Sequence, residues 1–137
     1  MTFSGPIEDR ILIRELIETY NDAVFRRDAD IWGGLWADEA RWHIFGQEIK
    51  GQENILTMWT QAMQTFSYVG FVASPGAISV SGEGAMARVY VQETLVKDEQ
   101  FQSVQGRYDD ELIKINGKWL FKSRRYEVLF DSNNLKG

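Results

Sequence analysis

Near Phe66 the hydrophobic period of this chain changes from about 3.6 residues to 2, and it does not change back. Before that point Ile13, Leu16, Ile17, Tyr20 and Val24 recur at three- and four-residue spacing. They predict an amphipathic helix that opens at Pro6 and ends near Arg27. Asp28 or Asp30 is expected to cap a short second helix holding Ile31, Trp32, Leu35 and Trp36. Gly33 and Gly34 each weaken that helix by about 1 kcal/mol relative to alanine. A brief strand, ARWHIF, follows. A third helix starts soon after Gly51, with Ile55, Trp59, Ala62, Met63 and Phe66 on one stripe.

Beyond Phe66, the stretches YVGFVASPGAISV, AMARVYVQETLV, QSVQGRYDDELIKI and KWLFKSRRYEVLF read as long strands. Their connections are SGEG, KDEQ and Asn116-Gly117, the last a strong hairpin signal because both residues tolerate positive φ. Helices first and a meander afterwards predict an α+β domain: three N-terminal helices packed on a curved, mainly antiparallel sheet. One domain is expected over residues 1–137, with 131–137 as a frayed tail. A strongly bent sheet closed by a helix makes a cone-shaped barrel with an interior pocket.

Composition narrows what such a pocket holds. The chain has no cysteine and a single histidine, which excludes thiolate chemistry and a multi-histidine metal site within one chain. Net charge is −5 with no run of Lys or Arg, so neither nucleic acid nor an anionic membrane is an expected partner. No apolar run reaches the ~18 residues of a spanning helix. MTFSGPIEDR lacks the basic-then-apolar plan of a signal peptide, and a soluble cytoplasmic protein is expected.

One strand carries an anomaly. In AMARVYVQETLV the residues Ala85, Ala87, Val89, Val91, Glu93 and Leu95 share a face by alternation. That face is apolar except for Glu93. A carboxylate on a dry face is what the wall of a ligand pocket should carry, so Glu93 is expected to face the cavity. The opposite face, with Met86, Tyr90 and Val96, has the apolar content of a subunit contact, and a homodimer or homotrimer is expected through it.

Tyr20 followed by Asp28, then LWADEARWHIFG, IKGQENI and RYDDELIKINGKWLF, resemble in order the SnoaL-like branch of the nuclear-transport-factor-2-like superfamily. The pattern is most similar to its scytalone dehydratase and lindane dehydrochlorinase group. The resemblance implies a cone-shaped α+β barrel, dimeric or trimeric, around an apolar pocket. In that group an Asp–His dyad supplies the general base. Spacing from the motifs puts the aspartate at Phe25 and the histidine at Gly70, neither of which moves a proton. Similarity to ketosteroid isomerase places the base at Ile44, also vacant, and the oxyanion-hole tyrosine at Tyr20. The protonated acid of that hole falls on Asp109 or Glu111.

Tyr20 and Glu93 are therefore the candidate catalytic pair, Tyr20 polarising an oxygen and Glu93 moving the proton. The pocket wall is expected to draw on Phe25 from the first helix, Trp42 and Ile44 from the short strand, and Trp59 and Met63 from the third helix. Tyr68 and Gly70, Val91 and Leu95, and Tyr108 and Glu111 are expected from the long strands. His43 differs in parity from Ile44 and is expected outside. Arg124 and Arg125 are read as surface or subunit-contact residues, or one of them as counter-ion to an internal acid.

The functional readings are a lyase or isomerase acting on a small apolar or aromatic compound by proton transfer, a non-catalytic ligand carrier, and a structural subunit like the small subunit of aromatic-ring dioxygenases. None of them calls for a metal or an organic cofactor.

Overall fold

The computed structural model describes residues 1–134. Helix α1 spans Ile7–Arg26, and its buried stripe is Ile13, Leu16, Ile17, Tyr20, Ala23 and Val24. It ends where Arg27 turns left-handed at φ 53°. From that turn the Arg27 guanidinium donates to the carbonyls of Met63 and Phe66 at 2.9 and 2.8 Å, tying the ends of two helices together. Helix α2, Ala29–Gly34, is capped by Asp28, whose Oδ1 accepts from the Ile31 N–H at 3.1 Å. Gly33 lets α2 lie close to the next helix, because a Cβ there would crowd the Leu56 methyls at 3.1 and 3.2 Å.

Trp36, expected in the second helix, instead opens strand β1, Trp36–Ile44. Pairing decides this: the Leu35 carbonyl accepts from the Phe121 N–H, and Trp36 then takes its place beside Phe121. A short strand β2, Gln47–Lys50, returns antiparallel on β1. The sequence reading passed over it because it is only four residues long and lies between polar groups. Helix α3, Gln52–Gln64, buries Ile55, Trp59 and Met63, and Phe66 lies in the turn beyond it.

Strands β3 (Tyr68–Ser81), β4 (Gly84–Lys97), β5 (Gln100–Ile115) and β6 (Lys118–Asp131) form the expected meander. Asn116 and Gly117 take φ of 51° and 78°, as a type I′ turn requires. The sheet runs β2-β1-β6-β5-β4-β3, antiparallel throughout except for the β1–β6 pair. It is curved and unclosed: β2 and β3 are its edges, β3 met only by Ser4 in a single bridge at Ser79, and the helices cover its inner face. The fold is thus the α+β cone expected from the sequence. Of the segment expected to fray, Asp131 closes β6 and Ser132–Asn134 forms a 3₁₀ turn, with the Ser132 hydroxyl accepting from Ser103 N–H. The remaining tail, 135–137, lies outside the described residues.

The core under the helices is aromatic. Trp32 stacks on Trp59 with centroids 4.5 Å apart, and Trp36, Tyr20, Phe71 and Phe121 pack around them in tilted or edge contacts. Rings of this size bury roughly 150–250 Å² each, so this cluster dominates the apolar burial that holds helices to sheet.

Candidate functional site

The inner face of β4 follows the alternation anticipated for it. Ala85, Ala87, Val89 and Val91 are buried against the helices, and Glu93 and Leu95 continue the row toward the wide end. There the helices and sheet diverge around a cavity of about 260 Å³. Tyr20 and Val24 reach it from α1, Trp42 and Ile44 from β1, and Trp59 and Met63 from α3. Phe71, Tyr108 and Tyr126 close the strand side, and Glu93 projects among them. At the rim stand Phe45, Gln102, Val128 and Asp131.

Glu93 is anchored by Tyr126, whose hydroxyl donates to Oε2 at 2.8 Å. Burial in this apolar enclosure pushes the Glu93 carboxyl above the usual carboxylate range, against the opposing pull of the Tyr126 hydrogen bond. Burial, then the nearby Glu93 charge, push the Tyr126 phenol up in turn. The phenol reaches Glu93 because Gly106 leaves an empty place on β5: a Cβ there would collide with the Tyr126 ring and hydroxyl. Tyr108 lies alongside, its ring centroid 4.7 Å from that of Tyr126, and its hydroxyl accepts from Trp42 Nε1 at 3.1 Å.

Behind the tyrosines lies a buried ion pair. Arg124 Nε and Nη2 donate to the two carboxylate oxygens of Asp110 at 2.7 and 3.0 Å, and both side chains are almost wholly buried. The guanidinium carbon sits 3.8 Å from the Tyr108 ring centroid, 4.1 Å from Phe121 and 4.6 Å from Tyr20. Burial opposes the Arg124 charge, but Asp110 outweighs it and holds the guanidinium protonated above its ordinary range. Burial likewise pushes the Tyr20 hydroxyl up, while Arg124 draws it back down. The Arg124 charge is therefore spent on Asp110 and on the backs of aromatic rings, outside the cavity lining.

Several expected wall residues stand elsewhere. Phe25 is 46% exposed, because the 100° step from Val24 carries it off the buried stripe of α1. Tyr68 and Gly70 have the wrong parity: Val69 and Phe71 point inward, and a Cβ on Gly70 would face the Tyr68 hydroxyl and Thr94 on the outer side. Val91 is buried deeper than the cavity, in the packed part of the cone. Glu111 and Asp109 are exposed on the outer face, and the inward acid of that run is Asp110. Arg124, for which a surface role was one reading, is instead the counter-ion to that internal acid. His43 faces out as expected, with Nε2 3.6 Å from Glu48 Oε1 in a polar groove on the outer side.

Sequence reasoning missed the inward turn of Arg124 and Tyr126 for one reason, whereas Asp110 follows from plain alternation with Tyr108 on β5. An extra residue on β6 at Lys122, between the Phe121–Leu112 and Ser123–Glu111 pairs, shifts the register. Phe121 and Arg124, three apart, therefore both point inward. The signal that could have found Tyr126 was Glu93 itself, since an inward carboxylate needs a donor within reach.

A curved, unclosed sheet covered by helices around an interior pocket is an α+β cone of the nuclear-transport-factor-2-like fold. Within it, residues 6–125 match the SnoaL-like domain, and the chain belongs to that family. Among solved structures, a scytalone dehydratase candidate from Novosphingobium aromaticivorans superposes with a TM-score of 0.85 at 14% identity, over 96% of this chain and 91% of that one. A type 2 hexachlorocyclohexane dehydrochlorinase, LinA, gives 0.84 at 20% identity, over 92% and 88%. A dehydratase candidate of the nuclear-transport-factor-2-like family from Streptomyces avermitilis gives 0.80 at 14% identity, over 91% and 99%. At these identities the likeness is one of fold. No protein of curated function matches the sequence.

Proposed function

We propose that this protein binds a small, largely apolar or aromatic compound in the cone and moves a proton on it with Glu93, as a lyase or isomerase without a cofactor. One observation carries the reading: a carboxyl with a raised pKa, oriented by a 2.8 Å hydrogen bond from Tyr126, projects into an apolar cavity. Tyr20, on the facing helix, polarises the substrate oxygen. The dehydratase and dehydrochlorinase among the structural neighbours support a lyase-type reaction in a pocket of this shape.

The positions aligned with the Asp–His dyad, Phe25 and Gly70, lie outside the cavity, and the inward residues next to them are Val24 and Phe71. On this reading the protein does not run reactions that depend on that dyad, and a scytalone-type substrate should be turned over no faster than background. The test is to screen enolisable aromatic ketones for solvent-deuterium exchange at carbon. Exchange by the native protein, lost at least a hundredfold in Glu93→Gln with binding retained, supports the reading. Exchange that survives Glu93→Gln refutes it. Binding without any exchange favours the carrier reading, for which the vacant dyad positions speak.

We further propose that the chain forms one domain and assembles through the outer face of the sheet, where Val72, Met86 and Tyr90 are each about half exposed. Among the described residues no helix is long and apolar enough to cross a membrane, and we propose that the protein acts in the cytoplasm.

A further inference from the structure

Aromatic side chains from several elements line the cavity, Trp42, Trp59, Phe66, Phe71, Tyr108 and Tyr126 among them, with aliphatic groups between. Among the described residues no lysine, arginine or histidine lines it, and the two charged residues that do, Glu93 and Asp131, are acids. Arg124 lies behind the wall, where Asp110 already takes its charge in two hydrogen bonds, and Arg27 is engaged by the Met63 and Phe66 carbonyls. Among the described residues Glu93 has no ion-pair partner; its one side-chain hydrogen bond comes from the neutral Tyr126 hydroxyl. Asp131 at the rim accepts from Gln102 Nε2 and from the Asn133 N–H, both at 2.9 Å.

These features select one ligand charge. A carboxylate taken out of water without a counter-ion is costly, and aromatic faces attract cations through their quadrupole. Among the described residues an anion entering would meet two acids and no cation. A cation passing the rim would meet Asp131 first, then aromatic side chains, then Glu93. We infer that the ligand of this cavity is a small organic cation, a protonated amine carried on a compact apolar or aromatic body. The inference rests on the reading of the cavity as the ligand site, and it holds whether or not Glu93 then moves a proton. It agrees with the raised Glu93 pKa, because a ligand cation would offset the hydration that burial takes from the carboxylate. The chain's net charge of −5 adds long-range attraction of the same sign.

The experiment compares matched compounds that differ in charge alone. Benzyl, phenethyl and naphthylmethyl bodies, each as amine, alcohol and carboxylate, are titrated into the full chain at pH 7.5. Binding is read by calorimetry and by the fluorescence of Trp42 and Trp59. The amines should bind about tenfold or more tighter than their alcohols, and the carboxylates weakest of the three. In Glu93→Gln, which keeps the side-chain shape, amine affinity should fall about tenfold while alcohol affinity stays within about twofold. Alcohols binding as well as amines, or amine affinity unchanged in Glu93→Gln, would overturn the inference while leaving the cavity as a ligand site. If no member of the set binds at millimolar concentration, the cavity reading fails together with it.

Discussion

Replacing Arg124 by methionine should be among the most destabilising single changes in this chain, although it touches neither the cavity nor the surface. Arg124 and Asp110 side chains are 1% and 0% exposed and share two short hydrogen bonds. Methionine preserves much of the contact with the Tyr20, Tyr108 and Phe121 rings but leaves the Asp110 carboxylate buried without a partner. Breaking one side of such a pair costs about 3–5 kcal/mol. Unfolding entropy of about 2.1 cal/mol/K per residue over 137 residues amounts to about 0.3 kcal/mol/K, so Tm should fall by about 10–17 °C. Asp110→Leu should cost a similar amount by stranding the guanidinium. The double change Asp110→Leu with Arg124→Met removes both charges, and it should recover most of the loss, since apolar replacements of a buried pair are often neutral. Urea denaturation followed by tryptophan fluorescence measures all four proteins of the cycle, with Trp32, Trp36, Trp42 and Trp59 as reporters in or beside the core. A single-variant cost below about 1 kcal/mol, the range of exposed pairs, would show that water reaches the pair. A double variant as unstable as the sum of the singles would show that the two charges are not coupled. Either result refutes the account of the pair given above.

Glu93→Gln should become the more stable protein as pH rises. Because Glu93 has a folded pKa above its unfolded value, its favourable contribution is complete below the unfolded pKa and is lost as pH climbs through the folded one. Denaturation midpoints should be close at pH 4 and should favour Glu93→Gln at pH 8; a difference independent of pH would mean that Glu93 is solvated. Gly106→Ala should cost about 1–3 kcal/mol through collision with the Tyr126 phenol. Adding Tyr126→Ala should make the Gly106 change nearly free, and a cost unchanged in that background would place the strain elsewhere. Light scattering at micromolar concentration should show a dimer or trimer, converted to monomer by Met86→Lys with Tyr90→Glu, and a native monomer would reject the outer face as the contact.

Where a segment's own pattern decides its structure, the sequence was enough. The four long strands end within two residues of where alternation and turn chemistry placed them, and Glu93 faces inward by parity alone. Pairing between distant segments was not legible. Trp36 leaves its helix because β6 offers it a partner, and β2 exists because β1 does. The site was legible strand by strand until a register shift intervened. The extra residue at Lys122 turns Arg124 and Tyr126 inward, and no property of KSRRYEV by itself announces that shift. Motif spacing put the dyad positions on Phe25 and Gly70, yet one residue of helical or strand phase separates inside from outside at both places.

The unclosed sheet has a bearing on how this architecture accommodates change. Among the described residues no ladder of backbone hydrogen bonds joins the edge strands β2 and β3 to complete the ring, and the Arg27 guanidinium fastens the end of α3 to that of α1. A closed barrel resists altering its bore, since strand number and stagger set its diameter together. Here one wall is a helix held by side-chain contacts. Substitutions at Met63 or Phe66, away from the Trp32–Trp59 stack, should alter the room inside while every strand pairing stays intact. The scaffold thus separates the part that secures folding from the part that chooses what is held, and a lineage built on it is free to exchange one guest for another by mutating a single helix.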